Sequence, residues 1–182
     1  ILTPEQSIPP EPIEVPWESC VTLGRSFSFH YDDVYKSLDE VVHMFIEIIS
    51  KGGSLALNVT PQPDGALPHE AEHLLRRFGR WVRQNEKAIY NSEISPCRPN
   101  QRIRYTRVGD KDYAFYLYVP YPVMPKRIFL NVPEGSEVKE VRHVREDVPL
   151  SFKQNGQEVT VDTSELDMLY AESADCFEIS YK

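Results

Sequence analysis

The hydrophobic period of this 182-residue chain changes once, near residue 95, and that change limits the fold more than any other feature. Before it, apolar residues recur every three to four positions, as on a helix with one buried face. After it, they alternate with polar residues, as in strands with one buried face. The chain is therefore expected to hold two domains, residues 1–95 made of α/β material and residues 96–182 made of antiparallel β-structure.

In the first domain, Ser37-Leu38-Asp39-Glu40 is a capping box, in which a hydroxyl and a Glu three places on satisfy orphan backbone donors at a helix start. Leu38, Val41, Val42, Phe45, Ile48 and Ile49 then recur along one face until Gly52-Gly53 stops the run. Residues 54–59 (SLALNV) read as a short buried strand, ended by Pro61, Pro63, Asp64 and Gly65. A second helix is expected from about Pro68 to Lys87, with Leu74, Leu75, Phe78, Trp81 and Val82 on one face. Five of the fifteen prolines lie in the first sixteen residues, so that opening can be neither a helix nor a central strand.

In the second domain, strands are expected at residues 102–108, 113–119, 127–132, 138–144, 150–153, 158–161 and 176–181. Asn155-Gly156 is the strongest hairpin signal. Seven short strands with polar turns argue for a β-sandwich.

Composition narrows the function classes. The chain is 41% hydrophobic and 26% charged, with a net charge of −8, which suits a globular protein. The 20 basic residues are scattered, which argues against a nucleic-acid partner. No apolar run approaches the roughly 18 residues of a membrane span, and no basic-then-apolar leader opens the sequence. Three cysteines without CxxC spacing signal neither a disulfide framework nor structural zinc. His69 and His73 could share a helix face, but a solvated helix start explains them. Lys51 beside the glycines reads as a cation favoured at a helix C-terminus. Asn58-Val59-Thr60 is a formal glycosylation sequon at the end of a buried strand, and no modification is expected there.

The loop-like stretch from Thr3 to Tyr31 joins carboxylates (Glu5, Glu18) to aromatics (Trp17, Phe27, Phe29, Tyr31). Glycoside hydrolysis needs such a set, because one carboxyl protonates the leaving oxygen while another attacks or stabilises the anomeric centre. The same residues also fit an ordinary surface loop whose aromatics tuck into the core.

Six motifs, in order, go further: Thr3-Pro4-Glu5-Gln6, Pro16-Trp17-Glu18-Ser19-Cys20, Ser26-Phe27-Ser28-Phe29, residues 51–59 (KGGSLALNV), Pro63-Asp64-Gly65 with Gly79-Arg80-Trp81, and Ala88-Ile89-Tyr90. Together they closely resemble the α-L-fucosidases of glycoside hydrolase family 29. The resemblance implies the C-terminal part of a (β/α)8-like barrel followed by the family's antiparallel β-sandwich, with the active site at the C-terminal ends of the barrel strands. It implies an exo-acting retaining enzyme that releases terminal α-L-fucose by double displacement, its two carboxyl groups roughly 5–5.5 Å apart. Glu5 matches the acid/base position of several members, and Glu18 is the rival or a positioning group. Phe27 matches an aromatic lining the pocket for the fucose methyl, and Trp17 either walls that pocket or serves the barrel's structure. Glu5 would then need a raised pKa, supplied by a nearby nucleophile carboxylate and partial burial.

Two departures stand out. Phe27-Ser28-Phe29 replaces a Trp-Gly-Tyr run, and Ser54 and Ala56 replace Asn and Leu. The nucleophile Asp of the family lies upstream of Ile1, and Asp32, Asp33 and Asp64 match no motif. Eight βα units take about 200–250 residues, so the chain is expected to be the C-terminal piece of a longer enzyme, with the upstream half as its partner and little activity alone. The expected ligands are L-fucose-containing glycans, with no cofactor, metal, nucleic acid or membrane. Homo-oligomerisation is left open, and the compartment is exported (periplasmic or secreted) or lysosomal. The alternatives are an inactive fragment, or a sandwich that binds carbohydrate on a platform of Tyr105, Tyr113, Tyr116 and Tyr118.

Overall fold

A computed structural model describes residues 1–119, 123–169 and 171–182. The chain divides into two compact units, Ile1–Arg83 and Gln84–Lys182.

The first unit is built on parallel strands. β1 (Glu18–Thr22) and β2 (Ser54–Asn58) pair in parallel, Glu18 opposite Ser54 and Thr22 opposite Asn58, with α1 (Leu38–Ser50) as the crossover between them. Parallel neighbours need such a crossover, which makes this a βαβ unit. The capping box at Ser37 is formed, Ser37 N–H donating to Glu40 Oε2 at 2.7 Å and Glu40 N–H to Ser37 Oγ at 3.2 Å. These bonds to Ser37 hold the Glu40 carboxyl below its ordinary pKa. The buried face of α1 includes Ile46 as well as Val41, Val42, Ile48 and Ile49. Phe45 instead packs edge-on against Phe78 of α2 (His69–Gln84), ring centroids 5.4 Å apart.

The opening of the chain departs from its reading as an irregular loop. β1 is a regular strand, and residues 2–6 run parallel to its other edge, with bridges at Leu2–Trp17 and Glu5–Cys20. Leu2 N–H donates to Pro16 O at 3.0 Å, Cys20 N–H to Pro4 O at 3.0 Å and Gln6 N–H to Cys20 O at 2.8 Å. Pro4 accepts but has no N–H to give, so the pairing remains two bridges rather than a continuous ladder. Because backbone polar groups alternate sides along a strand, those of Thr3 and Glu5 face the outer edge.

The second unit is a β-sandwich. It begins earlier than the expected boundary at residues 95/96, because α3 (Glu86–Ile89) and β3 (Glu93–Ile94) join it. β3 pairs with β4 (Ile103–Val108), and Thr106 Oγ1 donates to Ala88 O at 2.7 Å. β5 (Lys111–Leu117), β6 (Arg127–Asn131), β7 (Val138–His143), β8 (Val148–Leu150), β9 (Phe152–Asn155), β10 (Glu158–Asp162) and β11 (Ala174–Tyr181) follow. One sheet has the order β3-β4-β5-β11-β7-β8 and the other β6-β10-β9. Ile103, Ala114, Val141, Phe177 and Ile179 of the larger sheet share one core with Ile128, Leu130, Val159 and Val161 of the smaller.

The hairpin at Asn155-Gly156 is present, with Gly156 at φ 58°, a backbone region a β-carbon disfavours. The single strand expected at residues 150–153 is two. Leu150 pairs with β7 in the larger sheet and Phe152 with β10 in the smaller, so the chain changes sheets at Ser151.

The tyrosine platform is not there. Tyr105, Tyr113 and Tyr118 are 2–4% exposed, and Tyr116 packs against the core. Their hydroxyls are used internally: Tyr118 donates to Asp175 at 2.7 Å, Tyr113 donates to Glu178 at 3.2 Å, and Tyr105 accepts from Asn131 N–H at 2.8 Å. β5 is buried on both faces, where the sequence reading allowed it only one.

Candidate active site

Register places the expected site residues on the first unit. Side chains alternate along a strand, so Glu18, Cys20 and Thr22 share one face of β1 with Ser54, Ala56 and Asn58 of β2 and, through the Glu5–Cys20 bridge, with Glu5. The two candidate carboxylates thus share a face at different heights. Glu18 stands at the N-terminal end beside Ser54. Glu5 is level with Cys20, two residues or about 6.6 Å nearer the C-terminal ends. Both are exposed, so the partial burial expected for Glu5 is not supplied by these residues.

Phe27 lies in the loop that leaves the C-terminal end of β1 and is 40% exposed. Asp33 closes that loop. Its Oδ1 accepts from Arg25 N–H at 2.9 Å and Val34 N–H at 2.8 Å, and its carboxylate lies where a β-carbon on Gly24 would meet Oδ2 at 2.0 Å. Asp64 caps the next loop, accepting from Ala66 N–H at 3.0 Å. Both acids therefore have local structural tasks. Beyond Phe27, a depression of about 250 Å³ is lined by Phe29, His30, Tyr31, Tyr35, His69 and Glu70, with Phe29 and Tyr31 edge to face at 5.0 Å. Burial, then the charges of Asp33 and Glu70, raise the pKa of Tyr35 there.

Trp17 lies at the other end. It is 3% exposed, its indole N–H donates to Lys51 O at 3.3 Å, and a β-carbon on Gly53 would fall 2.3 Å from its ring. These contacts are packing contacts, remote along the strand from Phe27. Lys51 is likewise accounted for by Glu47 Oε1 at 2.7 Å and Pro9 O at 2.8 Å.

Three residues carry no motif-independent signal in the sequence yet stand at the site. Gln6 and Thr22 bond to each other through their side chains. Asn58 ends β2 on the shared face with its Oδ1 buried and unpartnered. Gln6 adjoins Glu5 in sequence, and only the strand register, invisible in a local pattern, brings Thr22 and Asn58 to it. Among the described residues no group of three or more His, Cys, Asp or Glu side chains could hold a metal ion, and no helix is long and apolar enough to cross a membrane.

The profile of the α-L-fucosidase family matches residues 1–87. The plasma α-L-fucosidase of Rattus norvegicus is 31% identical over 154 residues, spanning 77% of this chain and 33% of that protein. Among solved structures, α-L-fucosidase isoenzyme 1 from Paenibacillus thiaminolyticus superposes with a TM-score of 0.84 at 27% identity, covering 99% of this chain and 44% of that one. The Thermotoga maritima α-fucosidase in complex with a mechanism-based inhibitor gives 0.81 at 25% identity, covering 97% and 42%. The chain therefore spans about a third of the length of the curated relatives it matches.

Proposed function

We propose that this chain, which belongs to the α-L-fucosidase family of glycoside hydrolases, forms the C-terminal part of an exo-acting retaining α-L-fucosidase. In this reading residues 2–6, β1 and β2 are the last strands of a (β/α)8-like barrel. Support comes from three parallel segments side by side whose outer edges have no partner among the described residues. An upstream half of the same enzyme would supply the remaining strands and the nucleophile Asp.

Glu5 is the acid/base. Its protonated carboxyl gives its proton to the glycosidic oxygen as the C–O bond breaks and the nucleophile takes the anomeric carbon. Its carboxylate then accepts a proton from water as that water displaces the enzyme. The observation that carries this choice is register: sites of such barrels lie at the C-terminal strand ends, and Glu5 stands nearer that end than Glu18. Phe27, in the loop leaving the same end, offers an apolar surface to the sugar's methyl, a contact worth about 1–3 kcal/mol in telling fucose from galactose. Trp17 holds the strand's opposite end. The substrates are fucose-containing glycans, and the compartment is secreted or lysosomal, in keeping with a plasma enzyme among the relatives.

The test is the stereochemistry of hydrolysis, with the chain as part of its whole enzyme. Proton NMR of aryl α-L-fucoside turnover should show α-L-fucose as the first-formed sugar. A first product of the β configuration, or no release of fucose, would remove the retaining-fucosidase reading.

A further inference from the structure

We infer that Gln6 and Thr22 are positioning residues that fix the direction in which Glu5 presents its carboxyl, an inference that rests on the acid/base role proposed for Glu5. The backbone on either side of Glu5 is tied to Cys20, through Cys20 N–H to Pro4 O at 3.0 Å and Gln6 N–H to Cys20 O at 2.8 Å. At Gln6 the chain leaves the sheet with φ 52°, a left-handed conformation that a residue with a β-carbon keeps only when its surroundings hold it there.

What holds it is a two-bond clamp. Gln6 Nε2 donates to Thr22 Oγ1 at 2.9 Å, and Thr22 N–H donates to Gln6 Oε1 at 3.2 Å. Thr22 is 1% exposed, and its hydroxyl proton is committed to Gly24 O at 2.7 Å, which leaves the oxygen lone pairs turned to the Gln6 amide. A second tie fixes the next peptide, Ser19 Oγ donating to Ser7 O at 2.7 Å.

Every polar group of this clamp is used, and no bond in it reaches the Glu5 carboxyl. Its effect on chemistry is therefore geometric: it sets where the strand ends and which way residue 5 points. General acid catalysis is sensitive to that placement, since misplacing a reacting group by about 1 Å costs on the order of a hundredfold. The Gly24 end of the clamp also anchors the start of the Phe27 loop, so one buried threonine fixes the acid's strand and the first turn of the sugar-facing loop.

The test compares Gln6→Ala, Thr22→Val and Thr22→Ser with wild type and Glu5→Ala in the whole enzyme, on fucosides with good and poor leaving groups. Gln6→Ala and Thr22→Val should lower kcat about tenfold to a hundredfold on poor leaving groups, which need the proton. On dinitrophenyl fucoside, whose leaving group needs no proton, they should leave kcat/KM nearly unchanged, with kcat and KM falling together because the same carboxylate must accept a proton from water in the second step. Thr22→Ser, which keeps the hydroxyl, should restore the wild-type leaving-group dependence. If Glu5→Ala shows the leaving-group signature and the clamp variants lose activity uniformly along with thermal stability, the clamp is only structural and the inference is overturned. If Glu5→Ala lacks the signature, the acid/base reading fails and the inference falls with it.

Discussion

Carboxylates are handled in opposite ways by the two units. In the sandwich, Asp112 and Asp175 are 0% and 3% exposed and surrounded by donors. Asp112 accepts from Ser95 Oγ and Tyr181 OH, each at 2.7 Å. Asp175 accepts from Tyr118 OH at 2.7 Å and Arg145 Nε at 2.9 Å. Burial alone would raise the Asp175 pKa, but the His143 ring and the Arg145 guanidinium beside the carboxyl outweigh it and hold it well below the usual carboxylate range. The His143 ring nitrogens lie 3.2 Å from Asp175 Oδ2 and 3.5 Å from Glu146 Oε1. In the parallel unit, Glu5 and Glu18 are exposed on a sheet face. A buried acid enclosed by donors serves the fold, whereas one left open on a rigid strand is free for chemistry.

The largest expected effect separates the two kinds directly. In the whole enzyme, Glu5→Ala should lower kcat/KM on poor leaving groups about 10²–10⁴-fold, whereas Glu165→Ala, an exposed acid of the sandwich, should leave it unchanged in the same assay. Next in size, Asp175→Asn leaves the largely covered Arg145 with only Glu146, 3.5 Å away, as counter-charge among the described residues and should destabilise the sandwich by about 3 kcal/mol in denaturant unfolding. Its pH dependence has a definite sign. A carboxyl whose pKa is lowered on folding stabilises fully above its unfolded value of about 3.9 and loses that contribution as pH falls through the folded value. The stability gap between wild type and Asp175→Asn should therefore be flat near neutrality and narrow below about pH 4.

Smaller effects sharpen the contrast inside the parallel unit. Trp17→Phe removes the indole bond to Lys51 O and should cost about 0.5–1.5 kcal/mol of stability, with the fucose-to-galactose kcat/KM ratio unchanged. A shifted ratio would return Trp17 to the sugar pocket. The mildest test perturbs no fold: iodoacetamide should label half-buried Cys20 in the native protein. Cys97, its thiol pushed up to about 11 chiefly by burial, and Cys176, raised well above its ordinary value for the same reason, should react only after unfolding.

Much of this was legible in the sequence, for identifiable reasons. The capping box at Ser37 and the Gly156 hairpin are local signals that local hydrogen bonds realise, and the strand after Gly53 shows as an apolar run between glycine and proline breaks. The pairing of residues 2–6 with β1 was not legible. Its partners are fifteen residues apart at Leu2–Trp17, and proline interrupts the ladder. The sheet change at Ser151 was hidden because two short strands in register read as one. The tyrosines misled because alternation marks two faces without saying that both are covered. For the site, the motifs supplied Glu5, Glu18, Trp17 and Phe27, while register ranks the two acids and adds Thr22 and Asn58, and the side-chain bonds to Thr22 add Gln6.

The central claim is that Glu5, not Glu18, donates the proton, and azide rescue tests it most directly. With the whole enzyme and an activated aryl α-L-fucoside, Glu5→Ala should regain turnover on adding azide and form α-L-fucosyl azide, while Glu18→Ala should show no azide dependence. Rescue of Glu18→Ala with none for Glu5→Ala would contradict the account and move the acid/base to the N-terminal end of β1.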